Sequence, residues 1–251
     1  MNLIEREGVQ FFTSEMLAPV AHGFTTRVGG VSKGRYRSLN LWHESGDTTE
    51  NVLANRERLA TALGIDPPEL STLRQVHGRV IVHVDGPFED HALEGDALIT
   101  DRPGVFLAVG AADCVPILLW DPEVPAVGAV HAGWGGIKED IARKTVIRMT
   151  ELFGSWPDRI RAVIGPAAGP CCYEVKDDVA RHFPEAFLRR LPARKIHLDL
   201  WKANRHQLLE AGLEEAHIET SDLCTLCNAD LFFSYRRDKG KTGGMLAVIG
   251  L

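Results

Sequence analysis

Two histidines and a cysteine sit in three segments that read as buried turns: His77 in Leu-Arg-Gln-Val-His77-Gly, Cys114 in Ala-Ala-Asp-Cys114-Val-Pro, and His131 in Ala-Val-His131-Ala-Gly-Trp. Two imidazole nitrogens and a thiolate suit zinc. A set of three leaves one position for water or substrate, which is the catalytic rather than the structural arrangement. A metal held there would lower the pKa of a bound water or polarise a substrate oxygen, so it would serve hydrolysis or group transfer. Ligating histidines usually donate their second N–H to a carboxylate or carbonyl, which makes Asp96 and Asp113 candidate partners or bases. Asp96, following Gly95, reads equally well as a turn residue. Spacing does not decide the matter: 36 residues separate His77 from Cys114 and 16 separate Cys114 from His131. No short metal-binding template fits, and a cysteine taken alone is more often a small core residue.

A second candidate is the turn-rich stretch Thr25-Thr26-Arg27-Val28-Gly29-Gly30. Its backbone N–H groups and guanidinium could meet an anion, as phosphate sites do. The lysine and serine or threonine of a P-loop are absent, as is the dinucleotide glycine fingerprint. Arg56, Arg236 and Arg237 could add positive charge, although arginines are mostly solvated surface residues. Cys224-Thr-Leu-Cys227, with Cys171-Cys172, could make a four-thiolate site or a redox pair. Adjacent cysteines are poor geometry for one tetrahedral ion, and buried cytosolic thiols are commoner. The other histidines receive no ligand role.

These residues need a scaffold. At 251 residues, with 45% hydrophobic and 25% charged residues, the chain is an ordinary globular protein with a sizeable core. Its net charge of -6 gives no long-range attraction to nucleic acid or anionic lipid and is compatible with a small anionic substrate held in a local basic pocket. The start lacks a basic segment followed by an apolar one, and no apolar run approaches ~20 residues. With five cysteines, an odd number that resembles no secreted disulfide framework, this predicts a cytoplasmic protein with reduced thiols.

Asp47 and Thr48 can cap a helix from about Glu50 to Leu63 stopped by Gly64, and that helix displays Asn51, Asn55 and Arg56. Near-continuous apolar runs at 80–84, 97–99, 105–109, 115–119 and 126–130 predict strands covered on both faces. A helix is expected over 137–153, a strand over 160–164, irregular chain over 165–173, helical segments near 179–190, a helix from Asp199 to Ala211, and strands over 231–235 and 245–249. No linker or repeat interrupts the chain, so one α/β domain over residues 1–251 is expected.

At these same residues the chain resembles the YfiH family, also called the polyphenol oxidase or laccase-domain family. The match runs through His22-Gly-Phe-Thr-Thr-Arg27-Val-Gly-Gly30, Ser38-Leu-Asn40-Leu, Asn51 to Arg56, Gln75-Val-His77-Gly, Asp96-Ala-Leu, Ala112-Asp-Cys114-Val-Pro, His131-Ala-Gly-Trp134, Gly165-Pro to Cys172-Tyr-Glu174, and Phe232-Phe-Ser-Tyr-Arg236-Arg237. The resemblance implies a single α/β domain of mixed sheets flanked by helices, and a metal, usually zinc with copper as the alternative, on His77, Cys114 and His131. It also implies phosphorolysis of adenosine, inosine and methylthioadenosine, with adenosine deamination as a second activity. On that reading a nucleoside and phosphate are the partners, with no nucleic acid and no membrane. Arg27, Gly29, Gly30, Asn40 and Arg56 are candidates for substrate and phosphate, and Asp113, Cys114 and Arg56 for catalysis.

Three further readings follow from the family: an amidase editing a cell-wall precursor, a copper polyphenol oxidase, and a non-catalytic zinc module. A laccase needs a histidine-rich copper cluster, and this chain has no His-x-His pair. One departure stands out. Family members commonly carry arginine where this chain has Gly135.

Overall fold

In the computed structural model, which describes residues 1–65, 70–86, 88 and 92–251, the core is a sandwich of two sheets with helices on its outer faces. The first sheet orders its strands β1 (Asn2–Arg6), β2 (Val9–Thr13), β3 (Ala21–Thr25), β15 (Met245–Gly250), β7 (Phe106–Ala111) and β4 (Leu70–Thr72). The second orders β14 (Ile218–Thr220), β10 (Arg161–Ile164), β8 (Val115–Asp121), β9 (Ala126–Ala132), β6 (Ala97–Thr100) and β5 (Ile81–His83). Most neighbours run antiparallel, while β4 with β7, β5 with β6 and β10 with β14 are parallel. A small sheet of β11 (Glu174–Val175), β13 (Lys195–Leu198) and β12 (Leu188–Leu191) completes the mixed α/β architecture that the sequence leads one to expect.

The apolar runs follow from this layering. Side chains alternate across a strand, and here each face meets a different core. From β7, Leu107 and Val109 point between the sheets, while Phe106 and Ala108 point outward under the helix α1 (Thr49–Leu63) with Leu59 and Ala60. From β8, Leu118 and Trp120 point between the sheets, and Val115, Ile117 and Leu119 meet α3 (Ile141–Phe153) and α5 (Leu200–Glu210). Each fully buried Leu, Ile or Val contributes roughly 1.5–3 kcal/mol by leaving water, so both faces of the central strands have to be apolar.

Helix α1 begins as its residues predict: the Thr48 hydroxyl accepts from Asn51 N–H, and Gly64 closes the end at φ 73°. Helix α5 is capped by Asp199, which accepts from Lys202 N–H. Three expectations are corrected. The helix over 137–153 is two, α2 (Trp134–Lys138) and α3, because Asp140 sits at φ 58° and breaks the path. The helical segments expected over 179–190 are short, the end of α4 (Asp177–Ala180) and a single 3-10 turn at Glu185–Phe187, before β12 takes over at Leu188. Residues 231–235 form turns rather than a strand, with Leu231 and Phe232 N–H donating to Asn228 O, while Phe232 and Phe233 anchor the loop in the inter-sheet core. Among the described residues no helix is long and apolar enough to cross a membrane.

Candidate active site

The chain passes twice from one sheet to the other at the same end of the sandwich. Strands β4 and β7 are parallel neighbours, and from their C-terminal ends the chain leaves toward β5 and β8 of the opposite sheet. His77 lies in the first crossover and Cys114 in the second, immediately before β8. His131 arrives on β9, paired with Pro116 of β8. The three ligand atoms lie within 4.8 Å of one another, so residues with 36 and 16 others between them in sequence converge because the sheets are stacked.

Both crossovers hold unusual backbone. His77 has φ 57° and Asp113 φ 104°, left-handed conformations that cost non-glycine residues of order 1–3 kcal/mol and persist only where neighbours enforce them. Asp96 enforces the first: its carboxylate accepts from His77 N–H at 2.9 Å, Gly78 N–H at 2.7 Å and His131 Nδ1 at 2.9 Å. Asp113 enforces the second from within, accepting from Thr225 Oγ1 at 2.6 Å, Ser234 Oγ at 3.0 Å and Arg236 N–H at 2.6 Å.

The bond to Asp96 fixes the His131 ring with Nδ1–H toward the carboxylate and leaves Nε2 as the nitrogen that can bind a metal. Burial alone would raise the Asp96 pKa, but the donors from His131, Gly78 and His77 outweigh it and hold the carboxyl below its ordinary value. Burial likewise opposes the Cys114 thiolate, yet the two imidazoles draw the thiol well below its ordinary range. The thiolate and Asp96 in turn raise His131 against its own burial. This is a donor set in which the sulfur readily gives up its proton, as a metal ligand must. Gly133 permits the convergence: a Cβ there would lie 3.0 Å from Cys114 Sγ and 3.1 Å from His77 Cδ2.

The cluster opens into a cavity of about 500 Å³ bordered by Trp42, Gln75, Trp134, Tyr173, Tyr235, Arg56 and Arg236, with Leu41, Leu73 and Leu246 as apolar wall. That volume suits a small organic ligand. Arg236 lies over the Tyr173 ring at 4.9 Å and donates to Glu174 O at 2.6 Å, and Arg56 Nε donates to Leu41 O at 3.3 Å. Burial, with the Cys114 charge nearby, pushes the Tyr173 phenol up to about 12.

Other candidates from the sequence lie elsewhere. Arg27 donates to Arg37 O and Ala229 O and stacks over Phe233. Gly29 and Gly30 N–H both donate to Ser38 Oγ. Asn40, fully buried, ties Ser45, Asp47, Trp42 and Gly244 together. None of these four borders the cavity; the glycine-rich loop is part of the scaffold. Residues not singled out for the site include Gln75, which exchanges two hydrogen bonds with Gly110, and the aromatic rim of Trp42, Trp134, Tyr173 and Tyr235. A signal was available for some of them, since Gln75, Trp134, Tyr173 and Tyr235 all fall in the motifs quoted above.

Residues 21–251 match the family model described as multi-copper polyphenol oxidoreductase laccase. A protein of Deinococcus radiodurans named purine nucleoside phosphorylase is 47% identical over 92% of this chain and 89% of its own length. A protein named adenosine deaminase RL5, from an unknown prokaryotic organism, is 37% identical over 94% of each chain. The crystal structure of the Bacillus licheniformis protein YfiH superposes with a TM-score of 0.92 at 39% identity, covering 98% of this chain and 97% of that one. By sequence and by fold, this chain belongs to the YfiH, laccase-domain family.

Proposed function

We propose that the chain is a zinc-dependent purine nucleoside phosphorylase acting at the His77, Cys114 and His131 centre. The carrying observation is that these three donors open onto a cavity bordered by two arginines and a rim of aromatic residues. The names of its relatives support the same reading. Two nitrogens and a thiolate fit zinc. They do not fit a multi-copper centre, because among the described residues theirs is the single cluster of potential metal ligands that includes a histidine. Bound zinc would supply Lewis-acid polarisation or a water of lowered pKa.

The chain's own groups do the rest. Flat purine faces suit stacking against Trp134, Tyr173 or Tyr235. Arg56 and Arg236 hold phosphate, which binds guanidinium bidentately, and orient it toward the anomeric carbon. The glycosidic bond breaks through an oxocarbenium-like state in which the departing purine needs a proton or a donor. Tyr173 stays protonated at neutral pH and is the donor we assign. Asp113 was the sequence's candidate for proton transfer, but both its oxygens already accept bonds, so it acts by positioning Arg236. Deamination of adenosine at the same site is a different step: water attacks C6 of the base and the exocyclic amino group leaves as ammonia.

Product analysis tests this. Metal-loaded protein is given adenosine, inosine or methylthioadenosine, with and without phosphate. Free base that appears only with phosphate supports phosphorolysis. Inosine from adenosine without phosphate supports deamination. Bound metal with no nucleoside turnover refutes both and returns the site to amide hydrolysis.

A further inference from the structure

The second cysteine group lies outside the cavity and takes no part in the reaction above. Cys171, Cys172, Cys224 and Cys227 bring their sulfurs within 4.8 Å of one another. Cys227 Sγ lies 3.6 Å from Cys171 Sγ and 3.4 Å from Cys172 Sγ. A disulfide requires about 2.05 Å, so these contacts are not bonds. A tetrahedral zinc with Zn–S near 2.3 Å sets its sulfurs roughly 3.8 Å apart, which these spacings approach. We propose that the four cysteines form a second metal site, a closed four-thiolate centre for zinc or another soft tetrahedral cation.

The local backbone explains how two adjacent cysteines serve one ion. Gly169 O accepts from both Cys172 N–H and Tyr173 N–H at 2.9 Å, a tight turn that directs both thiols at Cys227. A Cβ on Gly169 would lie 3.2 Å from Cys224 Cβ, so this close approach needs glycine. On the other side, Cys224-Thr-Leu-Cys227 curls back, with Asn228 N–H and Nδ2 both donating to Cys224 O. Gly169 N–H donates to Cys224 Sγ at 3.3 Å, the kind of contact that favours a thiolate. Four clustered thiols cannot all ionise without a cation among them, and binding one releases their protons.

With four protein ligands the centre is structural rather than catalytic. It fastens the turn that carries Tyr173, a wall of the cavity, to the turn whose Thr225 holds Asp113. The centre is therefore a clamp on one side of the active site, independent of the reaction assigned there.

Protein purified under reducing conditions tests the proposal by metal quantification and cobalt(II) substitution. Wild-type protein should carry two ions per chain, and Cys114→Ala should keep one. The cobalt-loaded Cys114→Ala protein should show the tetrahedral ligand-field and sulfur charge-transfer bands of four thiolates. Cys227→Ser, or Cys171→Ser should the first misfold, should lose that ion and those bands while the His77, Cys114 and His131 ion remains. A metal-free Cys114→Ala protein, two ions retained by either serine variant, or a Cys227 disulfide found by mass spectrometry in the reduced preparation would each overturn it.

Discussion

Replacing Asp96 by asparagine tests the geometry most sharply, because one carboxylate holds two ligand segments. Its Oδ1 accepts from His131 Nδ1 and His77 N–H, and its Oδ2 from Gly78 N–H at 2.7 Å. Asparagine keeps one acceptor. If that oxygen stays toward His131 and His77, the new amide NH2 meets Gly78 N–H, donor against donor. Losing one hydrogen bond to a charged group costs roughly 1.5–3 kcal/mol, which in a domain of this size lowers Tm by about 3–12 °C. Removing a partner that orients a ligating histidine typically weakens metal affinity ~10–100-fold.

The pH dependence has a definite sign. The folded-state pKa of Asp96 lies below its ordinary value, so its contribution is fully present above the unfolded value near ~3.9 and is lost as pH falls from there through the folded pKa. The asparagine variant should lack that part of the acid-unfolding slope. Chelator competition measures the affinity, and thermal melts of the metal-free protein between neutral pH and pH 3 measure the rest. Affinity within twofold of wild type together with an unchanged Tm would refute the role given to Asp96.

Gly133→Ala places a methyl 3.0 Å from Cys114 Sγ at a backbone φ of -73° that alanine tolerates; chelator competition should show metal affinity falling about tenfold, as for other losses of ligand support, with the fold intact by circular dichroism. Gly135→Arg introduces the residue that the family resemblance leads one to expect there, but its Cβ would lie 2.8 Å from His77 O; denaturant melts should show a loss of about 1–3 kcal/mol from overpacking and steady-state kinetics no gain in phosphorolysis. Arg236→Gln should raise the phosphate KM about tenfold or more, as loss of a charge-assisted contact does, and leave metal content unchanged.

Much of the scaffold was legible because its signals are local. Thr48 and Gly64 bound α1, and double-faced burial made the central strands continuously apolar. What escaped was decided by contacts distant in sequence. The helix over 137–153 breaks at Asp140, whose left-handed backbone leaves no trace in the apolar period. The 231–235 run has the composition of a strand yet buries Phe232 and Phe233 without pairing. The glycine-rich loop resembled an anion nest, but its glycines are there to let chain pass chain: a Cβ on Gly29 would lie 2.2 Å from Gly8 O, and one on Gly30 2.2 Å from Ser38 O. His77, Cys114 and His131 were visible as residue types and only resemblance joined them, since their meeting depends on two sheet crossovers that spacing does not encode. The adjacent cysteines looked unsuited to one ion until the turn at Gly169 brought their thiols to the same neighbour.

The central claim is that nucleoside cleavage takes place at the His77, Cys114 and His131 centre. The most direct measurement is phosphate-dependent release of hypoxanthine from inosine by chelator-stripped protein back-titrated with zinc, wild type beside Cys114→Ala. Wild-type activity should return with zinc and saturate with phosphate, while Cys114→Ala stays inactive at every zinc concentration. Turnover by Cys114→Ala at the wild-type rate would contradict it.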